Sequence, residues 1–232
     1  MRLIAFVLPI VLSLPAVAFA KGEIKVTFLS GKAEAQTGDK TARALATGAE
    51  LKEGDVVETH DGTKLELTLG DGSRVRLAPN TKLQLTEAHF AQNKERNVSV
   101  SMWFGRIWAK VAKSVGAEDT FEVGTRNAIA GVRGTAFTVV ASQDLSALVR
   151  VYAGTVGVRK GEGQDFARAH SKKQVPGPSR VDRKQWEEII AGAMKQVKIT
   201  SIGEISPAED FEDTGEELKW AMWNQERDKG IR

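Results

Sequence analysis

The stretch NAIAGVRGTAFTVV, residues 127–140, followed by ALVRVYAGTVGVRKG, residues 147–161, decides the fold class. In the first, Gly131 and Gly134 bracket Val132 and Arg133 and lead into Thr135, Phe137 and Val139. That every-other-residue pattern reads as a strand with one buried face. A glycine on each side of an arginine implies backbone that takes a positive φ, or that lies too close to a neighbouring strand for a Cβ. In the second, Leu148, Val149, Val151, Val156 and Val158 supply two further short strands hinged at Ala153 and Gly154.

Upstream, Leu51 to Glu87 repeats the unit. Turn pairs recur at Asp61-Gly62, Asp71-Gly72 and Pro79-Asn80, and between them Leu65, Leu67 and Leu69, then Val75 and Leu77, then Leu83 and Leu85 alternate with Lys64, Glu66, Thr68, Arg74, Arg76 and Gln84. A period of two with charges interposed predicts strands with one wet face, and Asp-Gly between such runs is a strong turn signal. Ile24, Val26 and Phe28 alternate in the same way before a polar loop at 38–48, and residues 98–111 resume strands around Trp103, Phe104, Gly105 and Trp108. Residues 88–97, AHFAQNKERN, read as a polar loop between them. Short strands at this spacing fit either a solenoid-like stack or a jelly-roll sandwich.

Beyond Pro176-Gly177-Pro178 the period changes. Residues 161–181 read as a linker, since proline fixes φ and removes donors. Asp182 and Gln185 form a capping pair, and Trp186, Ile189, Ile190, Ala193 and Val197 share one helical face, predicting a helix. A second helix is predicted by Thr214 and Glu217, by the acids Glu212, Asp213 and Glu216 at its start, and by Arg227 and Lys229 near its end. Its stripe is Leu218, Ala221 and Met222, flanked by Trp220 and Trp223. The fold class expected is thus all-β with short strands, followed by C-terminal α-helices over 182–232.

Residues 1–20 read as a signal peptide: Arg2, an apolar run from Leu3 to Leu14, and the small-x-small site Ala18-Phe19-Ala20 before Lys21. An uncleaved anchor is the alternative, at the short end of the roughly 17–25 residues that span a bilayer and interrupted by Pro9 and Pro15. A periplasmic or secreted location follows, with no membrane span after cleavage. The absence of cysteine excludes disulfides and thiol-ligated metal. Residues 182–232 hold 8 basic and 12 acidic residues, net −4, which leaves +6 for residues 21–181. That is far from the concentrated basic face of a nucleic-acid binder.

Several blocks together resemble the FecR domain: GDVVET (54–59), LELTLGDGSRVRLAPNTKLQL (65–85), FGRIWAKV (104–111), FEVGTRNAIAGVRGTAFTVV (121–140) and VRVYAGTVGV (149–158). The resemblance covers roughly residues 22–160, the FecR-like β domain being bounded at 21–160, and implies an all-β, solenoid-like periplasmic module. Its best-known members cross the inner membrane and relay a signal from an outer-membrane transporter to a cytoplasmic sigma factor. Here only Met1 and Arg2 precede the apolar run, so direct control of a sigma factor is not expected. Residues 182–232 also lack the small α/β module with which those regulators contact their transporter.

Candidate site residues divide by chemistry. Arg133 has a planar fork suited to a carboxylate or phosphate, or it caps strand carbonyls in its turn. Gly131, Val132, Gly134, Thr135, Phe137 and Gly154 read as structural. Trp103, Phe104 and Trp108 read as either a stacking platform for carbohydrate or peptide, or as core. Arg133, Trp103, Trp108, Trp220 and Trp223 are the candidate partner-binding residues. His60, His89 and His170 stand apart without ligand spacing, and Asp55, Asp61 and Asp71 lie in different turns, so no metal or cofactor is expected. Asn97-Val98-Ser99 matches a glycosylation acceptor by pattern alone. No nucleophile motif or phosphate loop is present. The expectation is a non-enzymatic envelope binding or sensory module whose partner is an envelope protein. The alternative is a peptidoglycan- or glycan-binding structural protein.

Overall fold

A computed structural model describes residues 24–90, 96–113, 119–132, 134–161 and 189–230. The expectations for the signal peptide, for Arg133, for the 161–181 linker beyond Gly161 and for Asp182, Gln185 and Trp186 therefore lie outside the described residues. In chain order the strands are β1 (Ile24–Ser30), β2 (Ala33–Thr37), β3 (Arg43–Ala44), β4 (Glu50–Leu51), β5 (Asp55–Thr59), β6 (Lys64–Thr68), β7 (Arg74–Leu77), β8 (Thr81–Phe90) and β9 (Arg96–Lys110). They continue as β10 (Thr120–Gly124), β11 (Ala128–Val132), β12 (Ala136–Ala141), β13 (Ala147–Ala153), β14 (Val156–Lys160), β15 (Ile189–Ala191), β16 (Lys195–Ile199) and β17 (Glu209–Asp210), before helix α1 (Gly215–Lys229).

Two sheets result. Sheet A runs β4-β1-β6-β7-β9-β12-β13-β16-β17, antiparallel throughout. Sheet B runs β3-β2-β5-β8-β9-β10-β11-β14-β15, with β9 and β10 the parallel pair. From β1 onward in sheet A and from β2 onward in sheet B, the orders advance with the sequence as the chain passes back and forth between layers. This is the winding of a solenoid, with the sheets left open. Between the layers, period-two alternation delivers Leu65, Leu67, Val75, Leu77, Leu83, Leu85, Ile107, Phe137, Val149, Val151 and Val158 to one continuous core.

Strand β9 joins the layers. Its residues up to Phe104 pair with β8, and from Gly105 onward it pairs with β7 and β12 in the other sheet. Gly105 makes the change of sheet possible: its φ is +105°, and a Cβ there would lie 2.4 Å from the Thr81 Cα. Thr81 reinforces the corner, its Oγ1 accepting from Arg106 N at 3.0 Å and donating to Arg106 O at 3.2 Å.

The turn chemistry read from the sequence is realised at Gly62 (φ +66°), Gly72 (φ +84°) and Asn80 (φ 53°). Three expectations are corrected. Residues 88–97 are not wholly loop, because Ala88, His89 and Phe90 pair with Val98, Asn97 and Arg96. The helix predicted through Ile189 to Val197 is replaced by β15 and β16, which pair with β14 and β13. Ile189, Ile190, Val197 and Ile199 favour the pleated state, and the otherwise unpaired edges of β13 and β14 supply its hydrogen bonds. Last, the face of β6 and β7 expected to be wet is covered: Glu66 is 1% and Arg76 0% exposed.

Candidate functional site

The cover over that face is α1. Cross-strand register places Phe28, Glu66, Arg76, Trp108, Thr138, Arg150, Gln196 and Glu209 side by side on eight successive strands of sheet A. Their chain neighbours fill the core, so alternation turns these residues outward. They form a polar and aromatic ladder.

Helix α1 meets the ladder mainly with charges and rings. Arg76 donates from Nε to Glu66 Oε2 at 2.6 Å and from Nη1 to Asp228 Oδ1 at 2.7 Å. The other Asp228 oxygen accepts from Trp108 Nε1 at 3.2 Å, and Arg227 reaches Glu66 at 3.3 Å. Arg106 Nη1 stands 2.5 Å from Glu217 Oε1, and Arg150 Nη1 lies 3.1 Å from Asp213 and 3.5 Å from Glu217. Tyr152 donates its hydroxyl to Asp213 at 3.1 Å. Rings fill the gaps: Trp108 lies 4.5 Å from Tyr152, Trp220 stacks at 5.4 Å on Trp223, and the Arg227 guanidinium is 4.3 Å from the Phe28 centroid.

These contacts set the protonation of the site. Burial pushes the Glu66 carboxyl up, but hydrogen bonds from Arg227, Arg76 and Thr27 outweigh it and hold the group at about 2. Burial first, and then the Asp213 carboxylate, push the Tyr152 phenol up, so it stays a neutral donor. The ladder pairs charge with charge. Its hydroxyls serve as donors to carboxylates, Tyr152 to Asp213 and Thr27 to Glu66, and among the described residues no three His, Cys, Asp or Glu gather as a metal site.

The face of α1 that docks differs from the stripe read in the sequence. Trp220, Ala221 and Asn224 are buried, whereas Leu218 and Met222 are 44% and 59% exposed. A polar ladder selects the face with Trp220, Asn224, Arg227 and Asp228. Thr214 occupies the N-cap without a side-chain cap bond, and the Glu217 carboxylate of the expected box is instead drawn to Arg106 and Arg150.

Three of the five candidate partner residues thus meet here. Trp108 is fully buried, Trp220 is 4% exposed, and Trp223 is half-buried beneath Lys64, whose Nζ is 4.7 Å from its ring. Trp103 and Phe104 are half-buried on β9 before the corner. The arginines 76, 106 and 150, and the carboxylates of Glu66, Asp213 and Asp228, escaped the sequence reading. Their signal was the contrast between a basic β segment and an acidic tail.

The glycine motif lies on the outer face of sheet B. Gly131 pairs with Gly157, which pairs in turn with Ile190 on β15, while Glu122 pairs with Gly131 from the other side. These two glycines, side by side on adjacent strands, leave a trough of about 350 Å³, with Thr120 and Thr155 also at its walls. Gly134 (φ +61°) and Gly154 (φ +85°) make the turns, and a Cβ on Gly154 would come 2.6 Å from Thr135 Cγ2. Thr135 and Phe137 are buried behind them.

Compared with known families, residues 55–157 match the FecR protein family. Two crystal structures of a candidate anti-sigma factor from Parabacteroides distasonis, at 2.50 and 1.65 Å resolution, share the fold. Each is 23% identical with a TM-score of 0.50, over 73% of this chain and 64% of that one. The chain therefore spans somewhat less than two thirds of the length of those proteins. No curated protein matches it. The matched FecR segment ends at Gly157, so strands β15–β17 and α1 are additions beyond it.

Proposed function

We propose that this protein is an exported, non-enzymatic regulatory or sensory module of FecR type that works by binding another protein of the cell envelope. The observation that carries the reading is the Arg76–Trp108–Arg150 ladder. It is a row of cations and rings on a rigid sheet, suited to recognising a protein surface, and it offers paired charges instead of reacting groups. Residues 1–20, with their apolar run and Ala-Phe-Ala site, support export. The FecR domain and the anti-sigma-factor-type fold support a regulatory role.

Crosslinking in the native envelope tests this, with the full chain compared against one ending before α1. A discrete protein partner whose recovery changes with α1 is the expected result. Recovery of glycan strands alone, or of the same proteins at the same yield from both chains, would reject the reading.

A further inference from the structure

We infer that the sheet A face beneath α1 is a receptor for an acidic, tryptophan-bearing helix of a partner protein, and that α1 occupies this seat in cis as a displaceable latch. The inference rests on the reading proposed above and identifies its surface.

Four observations converge on it. First, the core is complete without α1: the main apolar cluster lies between the sheets, and α1 adds only Trp220 and Ala221, with Trp223 at the margin, to a separate small cluster with Ala78, Trp108 and Ala136. Lifting the helix would uncover a polar ladder and leave the interior closed. Second, the attachment is charge-complementary in one direction. Asp213, Glu217 and Asp228, from the helix and its lead-in, face Arg150, Arg106 and Arg76 of the sheet, with Arg227 to Glu66 a reversed pair. Any acidic helix of similar pitch meets the same cations.

Third, the seat is imperfectly filled. Arg76 Nη2, on the sheet, is a donor without an acceptor, although Arg76 is 0% exposed. Buried unmet donors are penalised, so an occupant bearing one more acceptor would outcompete α1. Fourth, a helix of 15 residues with no side-chain N-cap bond is marginal by itself. Once displaced it gains chain entropy, which favours release.

A fluorescent peptide copying residues 211–230 serves as the probe, added to the full chain. Three forms are compared: the native chain, a chain whose own latch is weakened by Glu217→Lys and Asp228→Lys, and a chain with Ala153→Cys and Gln225→Cys. Positions 153 and 225 line one cleft over Trp108 and Tyr152, and the chain has no cysteine to compete. With a tethered competitor at an effective concentration on the order of 1 mM, the weakened chain should bind the peptide at least ~10-fold more tightly than the native chain. The oxidised double-cysteine chain should not bind it, and reduction should restore binding.

Equal binding to oxidised and reduced chains overturns the inference, as does no binding to the weakened chain while its strand signature by circular dichroism is intact. A dimer that grows with concentration and dissolves on adding peptide would assign the seat to a second copy, overturning the partner assignment. Because the assay uses purified components, its failure is separable from a failure to find an envelope partner.

Discussion

The two outer faces of the molecule are built by opposite means. On sheet A the outward row runs through Glu66, Arg76, Trp108 and Arg150 and lies under a helix. On sheet B the matching row runs through Glu122, Gly131, Gly157 and Ile190, and two glycines leave a trough. Both rows rest on the same kind of apolar layer, so the difference lies wholly in what period-two alternation sends outward. A sheet core fixes the fold, and the residues between the core positions decide whether the far face is covered or open.

The contrast breaks most readily at Arg76. Replacing Arg76 by Leu leaves Glu66 and Asp228 without their central cation, and removing one partner of a buried pair costs about 3–5 kcal/mol. Thermal unfolding should register it. The same measurement on Glu122→Gln, whose partner Arg159 lies 3.0 Å away on the open face, should change stability by no more than about 1 kcal/mol. Equal effects would erase the distinction between the faces.

Acid sharpens the comparison next. The Glu66 carboxyl is held at about 2 when folded, against 4.5 as its ordinary value. Because the folded value is the lower one, its contribution is fully present above pH 4.5 and fades as pH falls towards 2. By linkage this is on the order of 3 kcal/mol. In Glu66→Gln the acid limb of the stability profile should flatten over that window, and an unchanged limb would place the responsible carboxylate elsewhere.

The glycines give a smaller graded pair. Gly154→Ala must enter a positive-φ turn and meet Thr135 and the Gly134 carbonyl, so it should destabilise by about 1–3 kcal/mol. Gly131→Ala meets nothing closer than the Gly157 carbonyl at 4.0 Å and should shift stability by less than about 1 kcal/mol in either direction. Denaturant midpoints distinguish them. A large loss at Gly131 would mean that the trough floor is packed, not open.

Much of the layering was legible because apolar residues at period two leave little freedom. Leu65, Leu67, Val75, Leu77, Leu83 and Leu85 all reach the core, and the Asp-Gly pairs turn where they stand. The ladder was not legible from Glu66 and Arg76 themselves. Charges between leucines read as solvated until a helix some 150 positions later covers them, as the separation of 152 between Arg76 and Asp228 shows. Residues 189–199 misled for a different reason: Ile189, Ile190 and Val197 satisfy helical spacing, but open strand edges at β13 and β14 override it. The opposite net charges of the two segments carried the docking of α1 in outline, without saying which acid meets which arginine.

Amide hydrogen exchange across the full chain tests the separability of α1 from the two-sheet body most directly. The amides of Trp220 to Asp228 should open at a lower free energy than those of β7, β9 and β12. Their exchange alone should quicken between 0.1 M and 1 M salt, as the Debye length falls from about 10 Å to about 3 Å. Exchange of α1 in step with those strands, indifferent to salt, would mean that the helix is an inseparable part of the body, contradicting the account.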